Sequence, residues 1–181
     1  MSSTNVKSAR DRIVDAAGPL FYREGYRAIG IDRLIAEASV AKATFYHHFP
    51  AKDDLIVAWI EKAEASANAN LPAIDGPAPL FAYADHMISI AHQPWCMGCT
   101  YQGTAAEFKD EAHPAHAAAM NIKTRALEAI ELRAKNQKAK HPRKTAEQVY
   151  LLLEGVWASV RMFGPDAPIT HAKDAVRKLF V

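Results

Sequence analysis

Cysteine is nearly absent: Cys96 and Cys99 are the two thiols in 181 residues. Set three positions apart, they close too short a loop to staple a fold, and no secretory signal precedes them. Reduced thiols in a soluble cytoplasmic protein are therefore expected. Long apolar runs are missing too. None approaches the roughly 20 residues needed to span a bilayer, and the leading stretch MSSTNVKSARDR is polar, so no membrane partner is expected. Glycine is scarce, with eight residues sitting mainly at junctions, and no alternation of β-branched residues persists. Alanine is abundant instead, which predicts an all-α chain. Catalytic groupings are absent as well. There is no nucleophile beside a base, no glycine-rich phosphate loop and no paired carboxylate setting. Asp85 with His86, and Glu107 with His113, are weak acid–base pairings at most, so neither an enzyme nor a cofactor is expected.

Half the residues are hydrophobic and 23% are charged, the make-up of a globular protein rather than a disordered one. The net charge of +2 is bland until it is divided. Residues 1–52 hold eight Lys/Arg against five Asp/Glu, and residues 53–181 hold fourteen against fifteen. The positive excess therefore lies in the first third, where a polyanion would be met.

Ser8 and Asp11 form a capping box in its acid form, and Ile13, Ala16, Ala17, Leu20 and Phe21 follow as one helical stripe. Pro19 interrupts that helix, which predicts a kink or a lost hydrogen bond, and Gly25 ends it. A short helix carrying Ile31, Leu34, Ile35 and Ala38 comes next, then a break at Ser39 and Val40. A third helix of about two turns runs from Ala41 to Phe49 and is stopped by Pro50. At about 100° per residue, Ala41, Phe45 and Phe49 share its buried face. Ala43, Thr44, Tyr46 and His47 lie on the opposite arc, and Lys42 sits at the N-terminal end. So short a helix is marginal alone, and such an arc makes sense if it faces something. Lys52 opens a fourth helix, a natural place for a phosphate contact.

Pro72 to Pro79 reads as a linker. Beyond it the spacing predicts helices over Leu80–His92, around Tyr101–Lys109, over Ala115–Asn136, from Thr145 and from Thr170, about nine in all. Thr145 with Gln148 reads as a second capping box opening the eighth helix. That helix is apolar on nearly its whole circumference. It therefore needs partners on two sides, and a second copy of the chain is the economical one. Leu151, Glu154, Ala158 and Arg161, with Val176 and Phe180 of the last helix, are the candidate dimer contacts.

Helix, short break, short helix and positive flank is the layout that docks a recognition helix in a major groove. Here the residues also resemble a family. The run DRIVDAAGPLFYREGYRAIGIDRLIAEASVAKATFYHHFPAKDDL is similar to the N-terminal domain of TetR-family transcriptional regulators over roughly residues 10–60. The resemblance implies a three-helix helix-turn-helix domain over 1–52 and a helical ligand-binding and dimerisation domain over 53–181. It further implies a homodimer on palindromic double-stranded operator DNA, usually a repressor released by a small-molecule effector. Carried over by position, Lys42, Thr44, Tyr46 and His47 resemble the groove- and phosphate-facing set. Lys52 resembles the family's phosphate clamp, and Arg33 of the second helix would brace the backbone. The chain departs from the pattern at Ser39, where the turn commonly has Gly, at Ala41, where a Ser often caps, and at Ala43, which replaces a common Gly. Met87, Trp95, Tyr101, Phe108, Met120 and Trp157 are the candidate liners of an effector cavity.

One rival chemistry stands on spacing alone: His92, Cys96, Cys99, His113 and His116 approach a zinc pattern. A helix between Cys99 and His113 argues against it, because about 1.5 Å per residue carries the two ends apart.

Overall fold

The computed structural model describes residues 7–179. Among them are nine α-helices and no strand: α1 Ala9–Glu24, α2 Ile31–Ala38, α3 Lys42–His48, α4 Lys52–Asn68, α5 Pro79–Ala91, α6 Thr100–Glu107, α7 Pro114–Asn136, α8 Pro142–Phe163 and α9 Ala172–Lys178. A single 3-10 turn, Gly164–Asp166, follows α8. No helix among the described residues is long and apolar enough to cross a membrane.

Local chemistry sets the boundaries. The Ser8 hydroxyl accepts the Asp11 amide at 3.1 Å and caps α1. Pro19 is accommodated, and α1 continues through it to Glu24. Gly25, at φ 85°, receives the chain after the last turn. Ser39 closes α2 in the left-handed conformation at φ 52°, ψ 50°, so the turn is built without the usual glycine. Ala41 precedes α3 with no side-chain cap. One expected start is corrected. α8 begins at Pro142, and Thr145 is a buried residue inside its first turn rather than a cap. Pro142 supplies the preset φ of a first helical residue, and this moved the start upstream.

The chain divides into two compact units: residues through Ala65 with Thr100–Met120, and Ser66–Cys99 with the chain from Asn121 onward. The contacts do not divide at residue 52. In the first unit Ile13, Val14, Ala17 and Phe21 of α1 pack with Leu34 and Ala38 of α2 and with Phe45 and Phe49 of the α3 region. Leu55, Ile56 and Ala58 of α4 join the same core, as do Phe108 and Ala115. Phe45 and Leu34 are fully buried, so the two-turn α3 is held by packing rather than by intrinsic propensity.

In the second unit α5 packs on α8 and α9. The end of α7 and the residue after it hold the linker and the first turn of α5. Asn136 donates to the Ile74 carbonyl at 2.9 Å, and the Gln137 side-chain oxygen accepts the Leu80 and Phe81 amides at 2.9 and 3.3 Å. Arg177 of α9 pairs with Asp85 of α5 at 2.7 Å.

Candidate nucleic-acid interface

Packing of Phe45 and Phe49 into the core turns the opposite arc of α3 outward. Lys42, Ala43, Tyr46 and His47 are exposed, and Thr44 is half-buried. Tyr46 is 41% exposed, and its ring stands edge-on to Phe45 at 5.6 Å, which braces the ring while leaving much of the side chain in solvent. Lys42 lies 3.5 Å from Asp32, with both side chains largely in solvent, so its charge is screened rather than committed. His47 and His48 stack edge to face at 5.0 Å.

Two flanking cations are placed differently from the simple expectation. Arg33 forms a two-pronged pair with Glu24, at 2.6 and 2.7 Å, so its guanidinium is engaged by α1. The Lys52 ammonium donates to the carbonyls of Tyr26 and Ile29. Two of its three N–H groups therefore serve the α1–α2 loop, and burial pushes its pKa below the ordinary lysine value. Glu107 of α6 accepts the amides of the same loop, Tyr26 at 3.1 Å and Arg27 at 2.6 Å. The Thr104 hydroxyl, which donates to the Thr100 carbonyl at 3.0 Å, receives the Tyr26 hydroxyl at 2.6 Å. Sequence spacing offered no signal for Thr104 or Glu107, which lie about 80 positions from the loop they hold.

A family model described as "Bacterial regulatory proteins, tetR family" matches residues 13–59, the segment that builds this surface. A crystal structure of a TetR transcriptional regulator from Streptomyces avermitilis is 30% identical, with a TM-score of 0.85 over 96% of both chains. The chain belongs to the TetR family of transcriptional regulators. A second TetR-family regulator, from Streptomyces coelicolor, is also 30% identical, with a TM-score of 0.82 over 95% of this chain and 94% of that one. The transposon Tn10 TetC protein of Escherichia coli is 43% identical over 54 residues. That match covers 30% of this chain and only 27% of the TetC protein. TetR-family proteins are regulators and not enzymes.

The expected effector liners of this TetR-family chain are scattered. Trp157 is buried in the second unit, and Met87 is half-buried there. Trp95 is 62% and Met120 51% exposed, so neither is a buried wall. Phe108 is a core residue of the first unit, where its ring lies 5.5 Å from Tyr26 and stacks on His113 at 4.2 Å. Tyr101 is half-buried in the first unit. A large apolar residue at helical spacing reads the same in a core, on a surface or in a cavity, and that ambiguity produced these placements.

The dimer candidates separate cleanly. α8 buries Thr145, Ala146, Val149, Leu153, Val156, Trp157 and Val160, and Leu151, Gly155, Ala158 and Met162 lie on an open stripe at spacings of four, three and four. Leu151 is 69% and Met162 77% exposed. Glu154 is paired with Lys123, and Arg161 donates to the Cys99 carbonyl at 2.6 Å. Val176 is corrected: at 1% exposure it is consumed by the packing of its own chain. Phe180 lies outside the described residues.

No group of three potential metal ligands stands together among the described residues. His92 bonds the Ile88 carbonyl at 2.8 Å, His116 the Phe108 carbonyl at 2.6 Å, and His113 lies 3.3 Å from Asp53. The zinc-like spacing is thus spent on helix ends.

Proposed function

We propose that this TetR-family protein is a cytoplasmic repressor. It binds palindromic operator DNA as a homodimer through α3 and leaves it when a small molecule occupies the body over residues 53–181. The observation that carries the reading is the outward arc of Lys42, Ala43, Thr44, Tyr46 and His47 on a helix whose other face is locked by Phe45. Lys42 and Thr44 suit phosphates and base edges, and Tyr46 suits a phosphate oxygen. The open stripe on α8, with large apolar Leu151 and Met162 flanking small Gly155 and Ala158, supports an isologous contact that spaces two such arcs. Coupling between body and head runs along α4, and the effector favours one spacing of the heads over the other.

Selection of bound fragments from a random duplex pool tests this reading. The expected result is a palindromic consensus whose half-sites sit about one helical turn, or a multiple of it, apart. Enrichment of a single asymmetric half-site, or no enrichment at low salt, overturns it.

A further inference from the structure

Arg133 of α7 is a cation without a counter-charge. It is 5% exposed, and no carboxylate pairs with it among the described residues. Its Nη1 donates to the Ala129 carbonyl at 3.3 Å and its Nη2 to the Pro72 carbonyl at 3.2 Å. The buried Nε makes no hydrogen bond. The guanidinium lies over the Tyr83 ring, 4.9 Å from its centre. Burial pushes its pKa below the ordinary arginine value, and the neighbour opposing that is Tyr83, not an acid.

Holding the linker does not account for a charge in this place. Asn136, on the following turn, ties the same linker at Ile74 with a neutral amide. A buried guanidinium that bonds only carbonyls keeps its desolvation cost and an open donor. Tyr83 also feels Lys123, Glu154 and Cys99, and Lys123 and Glu154 are paired with each other. The guanidinium lies over a buried tyrosine, whose own pKa burial raises, so that the hydroxyl stays a proton donor. His86, one turn further along α5, carries a second buried nitrogen, Nε2, with no partner.

We propose that Arg133 anchors the carboxylate of a small, otherwise apolar organic acid. Its Nε–H and a neighbouring guanidinium N–H take the two oxygens, and Tyr83 flanks them. A carboxylate matches the planar guanidinium fork, and its charge answers a guanidinium that no carboxylate among the described residues pairs. The proposal rests on the ligand-responsive reading above and names the charged end of the effector.

The probes are octanoate, benzoate and 1-naphthoate, each beside its own neutral primary amide, titrated into the 181-residue chain by calorimetry and thermal shift. At least one acid is expected to bind and raise Tm, with its amide at least tenfold weaker. Arg133→Gln, which keeps a donor for the linker, is expected to abolish the preference for acid over amide. Tyr83→Phe, which keeps the ring and drops the hydroxyl, is expected to weaken the acid several-fold, and it decides the matter if Arg133→Gln does not fold. Equal binding of acid and amide, binding of no acid, or an undiminished acid preference in both variants overturns the proposal. Binding to the selected operator is measured in parallel. Release of operator by the amides alone would sink the carboxylate anchor and leave the ligand-responsive regulator standing. Failure to bind any duplex would sink the regulator while the acid titration still reads out Arg133.

Discussion

The carboxylate of Glu107 accepts the amide of Arg27 at 2.6 Å, across 80 positions of sequence. Its other oxygen accepts Tyr26, and the ammonium of Lys52 holds the carbonyls of Tyr26 and Ile29. The loop that aims α2 and α3 is thus gripped by an acid at the end of α6 and a base at the start of α4. A half-buried acceptor taking two amides contributes roughly 1–3 kcal/mol. Glu107→Ala is expected to lower stability by about that amount and to speed hydrogen exchange at the amides of Tyr26 and Arg27. Unchanged exchange at those two amides would show the clamp to be idle.

Gly18 is buried under Trp59, and a Cβ there would fall 2.3 Å from the indole Nε1. The indole cannot easily give way, because Phe21 and Tyr26 flank it at 6.0 and 5.9 Å. Gly18→Ala should therefore destabilise by about 1–3 kcal/mol despite alanine's better helix propensity. Denaturant midpoints check this. A gain in stability would mean that the ring moves freely.

The turn of the reading head is built from second-choice residues. Ser39 holds φ 52° with a side chain, and Ala41 offers α3 no cap. Ser39→Gly should relieve part of the roughly 1–2 kcal/mol left-handed penalty, offset by the entropy of a more flexible unfolded chain. Ala41→Ser should add about 0.5–1 kcal/mol by capping an α3 amide. Both changes together are expected to raise Tm by several degrees, and a fall in Tm for the pair would contradict this account of the turn.

The head was legible because its information is local. Ser8 capping, Gly25 termination, the Ser39 break and the Phe45–Phe49 face are each encoded within a few residues, and each appears in the structure. The resemblance over roughly residues 10–60 covered the same segment. What the sequence concealed was long-range or ambiguous. Glu107 reads as a weak acid–base partner of His113 until α6 meets the α1–α2 loop, and Phe108 reads as a cavity liner until Tyr26 packs against it. Val176 and Leu151 look alike as apolar residues on helices, yet one is 1% exposed and the other 69%. Periodicity gives a face and not the partner of that face.

Asp15 joins α1 to α4 through Lys62 at 2.7 Å and takes Lys7 at 2.8 Å on its other oxygen. Hydrogen bonds from Lys62 and then Lys7 hold its carboxyl below the ordinary value of 3.8. A depressed folded pKa makes this contribution present at neutral pH and lost as pH falls below about 4 and through the folded value. The site is a third open to solvent, so screening limits the contribution to roughly 0.2–1 kcal/mol. Asp15→Asn should cost that much at pH 7 and progressively less as the pH falls below about 4, read as the difference between denaturation curves across that range.

Lys42, Lys52 and Tyr46 can be told apart by salt. Lys42 is exposed and only loosely engaged by Asp32, so its charge is free to neutralise a phosphate. Lys52 has two donors committed to carbonyls, and Tyr46 carries no charge. Each neutralised phosphate steepens the fall of log K with log salt by about 0.9. Lys42→Ala is therefore expected to reduce the slope by about 0.9 per subunit. Tyr46→Ala should weaken operator binding several-fold with the slope intact. Lys52→Ala should lower stability while leaving the slope nearly unchanged, because its loss is felt by the loop before it is felt by DNA. Affinities between 50 and 200 mM salt, with denaturation midpoints for the same proteins, decide it. A full unit of slope lost in Lys52→Ala, with stability intact, would return that residue to the phosphate and take it from the loop.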